Sequence, residues 1–176
     1  SFGPAMLALS GEPGFNPAWL AAAARLAAIN LHTWIGKNGD CSEGTSYFNR
    51  PVYLLLPFLV SMKLNGIYPE AYRSRLEKFA NWMAVVSAGG ILPSIGDSDG
   101  GPLAFPEGLL QLYPDNKLAA QLWSSQKRAA HPEAEVLSLL WFPVSQVREE
   151  STTELPLAEY FDGQNYQIFR TGYNPG

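Results

Sequence analysis

Apolar residues recur at three- and four-residue intervals through Trp19, Leu20, Ala23, Leu26, Ala27 and Leu31, a spacing that predicts a helix reaching about Ile35. Asn16 supplies a side-chain acceptor for its first turn, and Pro17 suits the first helical position. Gly36 and Gly39 end it. Upstream, residues 2–9 read as the tail of a helix that stops at Gly11. Downstream, the stretch from Pro51 to Met62 is apolar almost all round, the pattern of an inner helix. Pro57 predicts a kink there or a late start, and Asn65-Gly66 a stop. Tyr68-Pro69-Glu70 opens a further helix, with Leu76, Phe79, Ala80, Met83 and Val86 as its apolar face and Gly89-Gly90 at its end.

Residues 90–114 are rich in Gly and Pro and read as one long loop, a length that usually marks function in a compact domain. Asp115 is placed to cap a helix over Lys117–Ala129, and His131-Pro132-Glu133 to open a short one through Trp141. After about residue 150 the pattern changes. Tyr166 to Arg170 has strand propensity between Gly163 and Gly172. One strand does not stand alone, so it starts a sheet that continues past this chain or pairs with an unseen partner. The helices follow one another in antiparallel-looking pairs, as in an array of α-hairpins. The expectation is a mainly α unit over residues 1–150, then a linker and the start of a β domain over 151–176. Both ends read as cut, so the chain is expected to be an internal segment whose partner is the remainder of its own protein.

Composition narrows the function classes. With 176 residues, 47% of them hydrophobic, the chain can bury a real core and is not disordered by composition. The net charge is −4, without a basic stripe, which argues against a nucleic-acid partner. No apolar run is long enough to span a bilayer, so no membrane partner is expected. Cys41 is the single cysteine, and His32 and His131 are the only histidines, so neither an internal disulfide nor a Cys/His metal site is expected. Cys41 reads as a buried thiol, His32 as a packed or hydrogen-bonded helix residue. Aromatics make up 12%; most belong in a core, but flat rings also suit the apolar face of a sugar.

Two loops hold candidate chemistry. Asp40-Cys-Ser-Glu43-Gly-Thr-Ser-Tyr47 places two carboxylates and a phenol within eight residues. Glu43 can position a sugar hydroxyl or act as a base, and Tyr47 can transfer a proton. The same spacing of Asp40 and Glu43 is nearly a capping box, which is a purely structural reading. The second loop, Pro93-Ser-Ile-Gly96-Asp97-Ser98-Asp99-Gly100-Gly101, has alternate acids like a calcium loop, but its downstream Glu107 lies behind two prolines, so Asx-turns in a surface loop are expected over a metal site, or a carboxylate that hydrogen-bonds a neighbouring helix end or a sugar. Arg50, Arg73 and Arg75 are candidates for holding substrate carboxylates, or for salt bridges on solvated helix faces.

In their order along the chain these pieces resemble the heparinase II/III-like polysaccharide lyases and their alginate-lyase relatives. Ala5-Met-Leu-Ala-Leu-Ser-Gly-Glu-Pro resembles the helix after that family's Asn/His catalytic segment. Asn38-Gly-Asp-Cys-Ser-Glu-Gly-Thr-Ser-Tyr47 resembles its Asp-Gly-x-x-x-Glu-Gly-x-x-Tyr motif, with the Gly here preceding the Asp. Gly96-Asp97-Ser98 resembles its Gly-Asp-Ser, and Phe161 to Arg170 the first strand of its C-terminal β-sandwich. The resemblance implies part of an (α/α) toroid followed by that sandwich, in a periplasmic or secreted setting. It implies β-elimination on an acidic, uronic-acid-containing polysaccharide or oligosaccharide. Tyr47 matches the tyrosine that protonates the departing O4, with Asp40, Glu43, Arg50 and Asp97 around the substrate. The family's Asn/His pair and the sandwich histidines would lie outside the chain, as would any structural metal, so no cofactor is expected within it and the segment alone is expected to be inactive. Two other readings compete: a glycoside hydrolase on the same toroid with Glu43 and Asp97 as its carboxylates, and a non-catalytic carbohydrate-binding relative.

Overall fold

The computed structural model describes residues 2–41, 44, 45, 47, 49–87, 91–94, 99–102, 106–125, 157–162 and 166–169. The fold is mainly helical, with two short antiparallel ladders. In chain order the elements are α1 (Phe2–Ala8), α2 (Pro17–Trp34), α3 (Asn49–Leu64), a 3-10 turn (Glu70–Tyr72), α4 (Arg73–Val86), β1 (Ile91–Leu92), β2 (Gly101–Pro102), α5 (Pro106–Leu112), α6 (Lys117–Ser125), β3 (Ala158–Phe161) and β4 (Tyr166–Phe169).

Helix α2 starts where its sequence says: Asn16 Oδ1 accepts from the Ala18 N–H at 3.0 Å, and Pro17 follows. Its end is closed by another element. Arg75 of α4 donates from Nη1 to the carbonyls of Ile35, at 2.6 Å, and His32, at 3.4 Å, placing a cation where the helix leaves carbonyls unsatisfied. Ala23, Ala27 and Leu31 face inward, while Trp19, Leu26 and Ile29 stay exposed on the other side. His32 is exposed as well, rather than packed.

Helix α3 is the inner helix that its apolar pattern predicts. Val52, Leu55, Leu56, Phe58, Leu59, Val60 and Met62 are all buried, and α1, α2 and α5 pack around it. At roughly 1.5–3 kcal/mol for each large aliphatic side chain buried, this helix carries much of the core. The helix runs through Pro57, with the Ser61 hydroxyl donating to the Pro57 carbonyl at 2.7 Å. Gly3 lets α1 cross close: a β-carbon there would meet the Phe58 ring at 2.5 Å. Helix α4 buries Leu76, Phe79, Ala80, Trp82 and Met83, with Phe79 and Trp82 stacked at 6.0 Å.

Three expectations change. Residues 90–114 are not one loop, because β1 pairs with β2 and α5 begins at Pro106 with Glu107 in its first turn. Pro and Glu at a helix start are favourable, and the surrounding glycines and prolines masked that signal. Helix α6 is capped by Asn116, whose Oδ1 accepts from the Ala119 N–H at 3.0 Å, not by Asp115. The strand at 166–169 is not the first of its sheet: it pairs antiparallel with β3 immediately upstream, Ala158 opposite Phe169 and Phe161 opposite Tyr166. Alternation buries Phe161 and leaves Tyr160 and Phe169 outside. The helix expected over 131–141 lies outside the described residues.

The end of α3, the entry to α4 and the end of α5 meet at a pair of tyrosines. The Tyr68 and Tyr113 hydroxyls are hydrogen-bonded, Lys63 donates to the Leu112 carbonyl, and Arg73 stands 5.7 Å over the Tyr113 ring. Burial pushes the Tyr68 phenol up to about 12, and the Tyr113 phenol upward as well. The neutral Tyr68 phenol therefore favours the fold up to pH 10, and its contribution is lost as the pH rises through about 12. Urea denaturation should show stability falling by up to about 2 kcal/mol across this range, and Tyr68→Phe should flatten the fall.

Candidate functional site

The segment between α2 and α3 is built as a tight turn. Ile35 and Cys41 form an isolated antiparallel bridge, the Gly36 N–H donates to the Asp40 carbonyl at 2.7 Å, and the Gly39 N–H to the Gly36 carbonyl at 3.1 Å. Gly39 has φ +87°, and a β-carbon on it would collide with the backbone of Lys78. Only glycine permits both the conformation and the approach. Lys78 Nζ then donates to the Lys37 carbonyl at 3.3 Å. The turn is thus seated on α4.

Two further segments reach this loop from far along the chain. The Thr45 hydroxyl donates to the Pro93 carbonyl at 2.7 Å, which joins the loop to the residues just after β1. Asn38 Nδ2 donates to Asp162 Oδ1, which joins it to the turn between β3 and β4. The structure therefore brings together the start of both candidate loops and the β-hairpin, although they lie about 50 and about 120 residues apart in sequence.

Tyr47 lies two residues beyond Thr45 and is 40% exposed. Asp40 is the opposite case at 1% exposed, and neither carboxylate oxygen has a hydrogen-bond partner. Loss of hydration raises its carboxyl above the ordinary 3.8; its own backbone N–H works against that, and the like charge of Asp162 adds to it. The capping-box reading of Asp40 is not what the fold uses, since no helix starts there and α3 begins only at Asn49. Glu43, Asp97 and the side chain of Arg50 lie outside the described residues; Arg50 itself falls in the first turn of α3.

Cys41 is a fully buried thiol, as expected, beside a small apolar cavity also lined by Trp34, Val52, Leu55, Leu76 and Phe79. Arg73 and Arg75 serve the fold. Arg75 closes α2, and Arg73 pairs with Glu70 at 3.1 Å and Glu77 at 2.9 Å on the surface. Among the described residues there is no group of three or more His, Cys, Asp or Glu side chains able to hold a metal ion. Among them, no helix is long and apolar enough to cross a membrane.

Sequence reasoning missed Thr45, the pairing of Asn38 with Asp162, and the seating of Gly39. An Asn-Gly step signals a turn. Nothing local signals that the turn lies on a helix backbone or that Thr45 reaches across the chain. Comparison with protein-family models, with curated proteins and with solved structures gives no match.

Three substitutions test this geometry in denaturant. Gly39→Ala should cost about 2 kcal/mol or more, because strain and collision add, whereas Gly14→Ala, with φ +83° but open space, should cost about 1 kcal/mol. Thr45→Val should cost about 1–2 kcal/mol by leaving the part-buried Pro93 carbonyl without its donor.

Proposed function

We propose that this chain is part of a polysaccharide lyase that cleaves acidic, uronic-acid-containing polysaccharides or oligosaccharides by β-elimination, with Tyr47 as the acid. The observation that carries the reading is the position of Tyr47. It is exposed two residues beyond Thr45, in a loop of which Asn38, Gly39 and Thr45 are held by Asp162, by α4 and by the Pro93 carbonyl. A proton donor works best when its backbone is held and its hydroxyl is free. The match of Asn38 to Tyr47 with the heparinase II/III-like motif supports the same assignment, as do the Gly-Asp-Ser at Gly96 and the strand at 166–169.

In that reaction the substrate carboxylate is neutralised, a base takes the C5 proton, the C4–O4 bond breaks as the C4–C5 double bond forms, and Tyr47 delivers its proton to O4. Glu43, Arg50 and Asp97 are proposed to hold the substrate, while Asp40 acts from inside the loop. The base and the carboxylate neutraliser are assigned to the rest of the protein. The helical part is read as a portion of an (α/α) toroid, and α2 supports this: it carries apolar side chains on both faces, Ala23 and Leu31 inward, Leu26 and Ile29 outward, as a helix with neighbours on two sides would. The β3–β4 hairpin is read as the beginning of the sandwich.

Tyr47→Phe in the complete protein should lower cleavage of a uronate polymer on the order of 100-fold or more, followed by ultraviolet absorbance of the unsaturated product, with binding retained. Unchanged cleavage removes Tyr47 from the mechanism. Cleavage products without the unsaturated chromophore point instead to hydrolysis.

A further inference from the structure

Asp40 is a buried acid without a partner, and the groups that face it explain neither its burial nor an ionised state. From its own loop, Lys37 is exposed and its carbonyl takes the Lys78 ammonium. From α4, Arg75 is engaged with the carbonyls of His32 and Ile35, and Lys78 with that of Lys37. From the β3–β4 turn comes Asp162, a second carboxylate, itself held by Asn38. Gly36 packs so closely that a β-carbon on it would collide with Asp40 Oδ1. Among the described residues, both oxygens of Asp40 therefore lie buried without a side-chain donor or a cation for the charge, and only its own backbone N–H favours ionisation. The same few residues hold the loop against the hairpin, through Asn38 and Asp162.

We propose that Asp40 carries a proton when this loop is closed, and that the loop and the β3–β4 turn form a latch that loosens when Asp40 ionises. Burial, with Asp162 as an added cause, makes the closed form hold its proton above the ordinary 3.8, whereas in the opened loop the carboxyl returns to that value. Below 3.8 both forms are protonated and the latch has its full strength. Between the open and closed values, opening releases one proton, so its equilibrium constant rises about tenfold per pH unit. Above the closed value it levels off. The latch is tightest in acid.

Amide hydrogen exchange of the whole protein tests this without any substrate, so its outcome is independent of whether the chain acts on uronates. Exchange is followed from about pH 4 to about pH 8 and corrected for the intrinsic pH dependence of the amides. Peptides covering 36–47 and 158–169 should lose protection as the pH rises, by at most about tenfold per pH unit, and then reach a plateau, while a peptide from α4 stays constant. Asp40→Asn, neutral at every pH, should abolish the dependence. Asp162→Asn, on an exposed residue whose amide oxygen can still accept from Asn38, should bring the plateau to lower pH. Exchange that is independent of pH in the wild type overturns the latch, as does a wild-type profile in Asp40→Asn. Should Asp40→Asn fail to fold, an unchanged plateau in Asp162→Asn overturns it equally.

Discussion

The contact between Gly39 and the backbone of α4 sets the position of the whole loop between α2 and α3. Two main chains approach there closer than any side chain allows, at a left-handed residue that favours glycine on its own account. Once that contact is made, the carbonyls on either side of the turn point toward α4. Arg75 and Lys78, one turn apart on that helix, meet them at Ile35 and Lys37. The helix thus serves the loop twice, as a surface to lie on and as a source of cations for carbonyls left over at the end of α2. Asn38, next to that contact, reaches Asp162 far along the chain.

Underneath, the order comes from α3. A helix with so many buried apolar side chains has to be packed against, and α1, α2 and α5 supply the neighbours. The tyrosine pair at its far end closes the arrangement, with Lys63 and Arg73 over the Tyr113 ring. The two ends of the core are therefore held by different physics. One end is a steric fit of backbones, and the other is a buried polar network in which each hydroxyl needs its neighbour.

The helices were legible because periodicity and caps are local properties. Asn16 with Pro17 marked the start of α2, and the apolar run after Pro51 marked the inner helix before any contact was known. What escaped was either locally ambiguous or non-local. Pro106 and Glu107 start a helix, but they do so inside a stretch whose glycines and prolines say loop. Ala158 to Phe161 is short and has a proline just before it, so the strand that Tyr166 to Phe169 needed went unrecognised. At the site, the polar residues from Asp40 to Tyr47 stood out by type, yet type did not separate the buried Asp40 from the exposed Tyr47. That difference is made by Gly36 and by the Asp162 turn, which no local pattern connects.

The β3–β4 hairpin has a consequence for handling the protein. Among the described residues these strands pair only with each other, so each keeps one row of backbone donors and acceptors unmatched. Phe169, at 76% exposed, and Tyr160 lie together on its outer face. A short ladder with open edges and an aromatic surface is a template for strands from other molecules. Expressed by itself, this stretch would favour self-association over solubility, and concentration would govern how the preparation behaves.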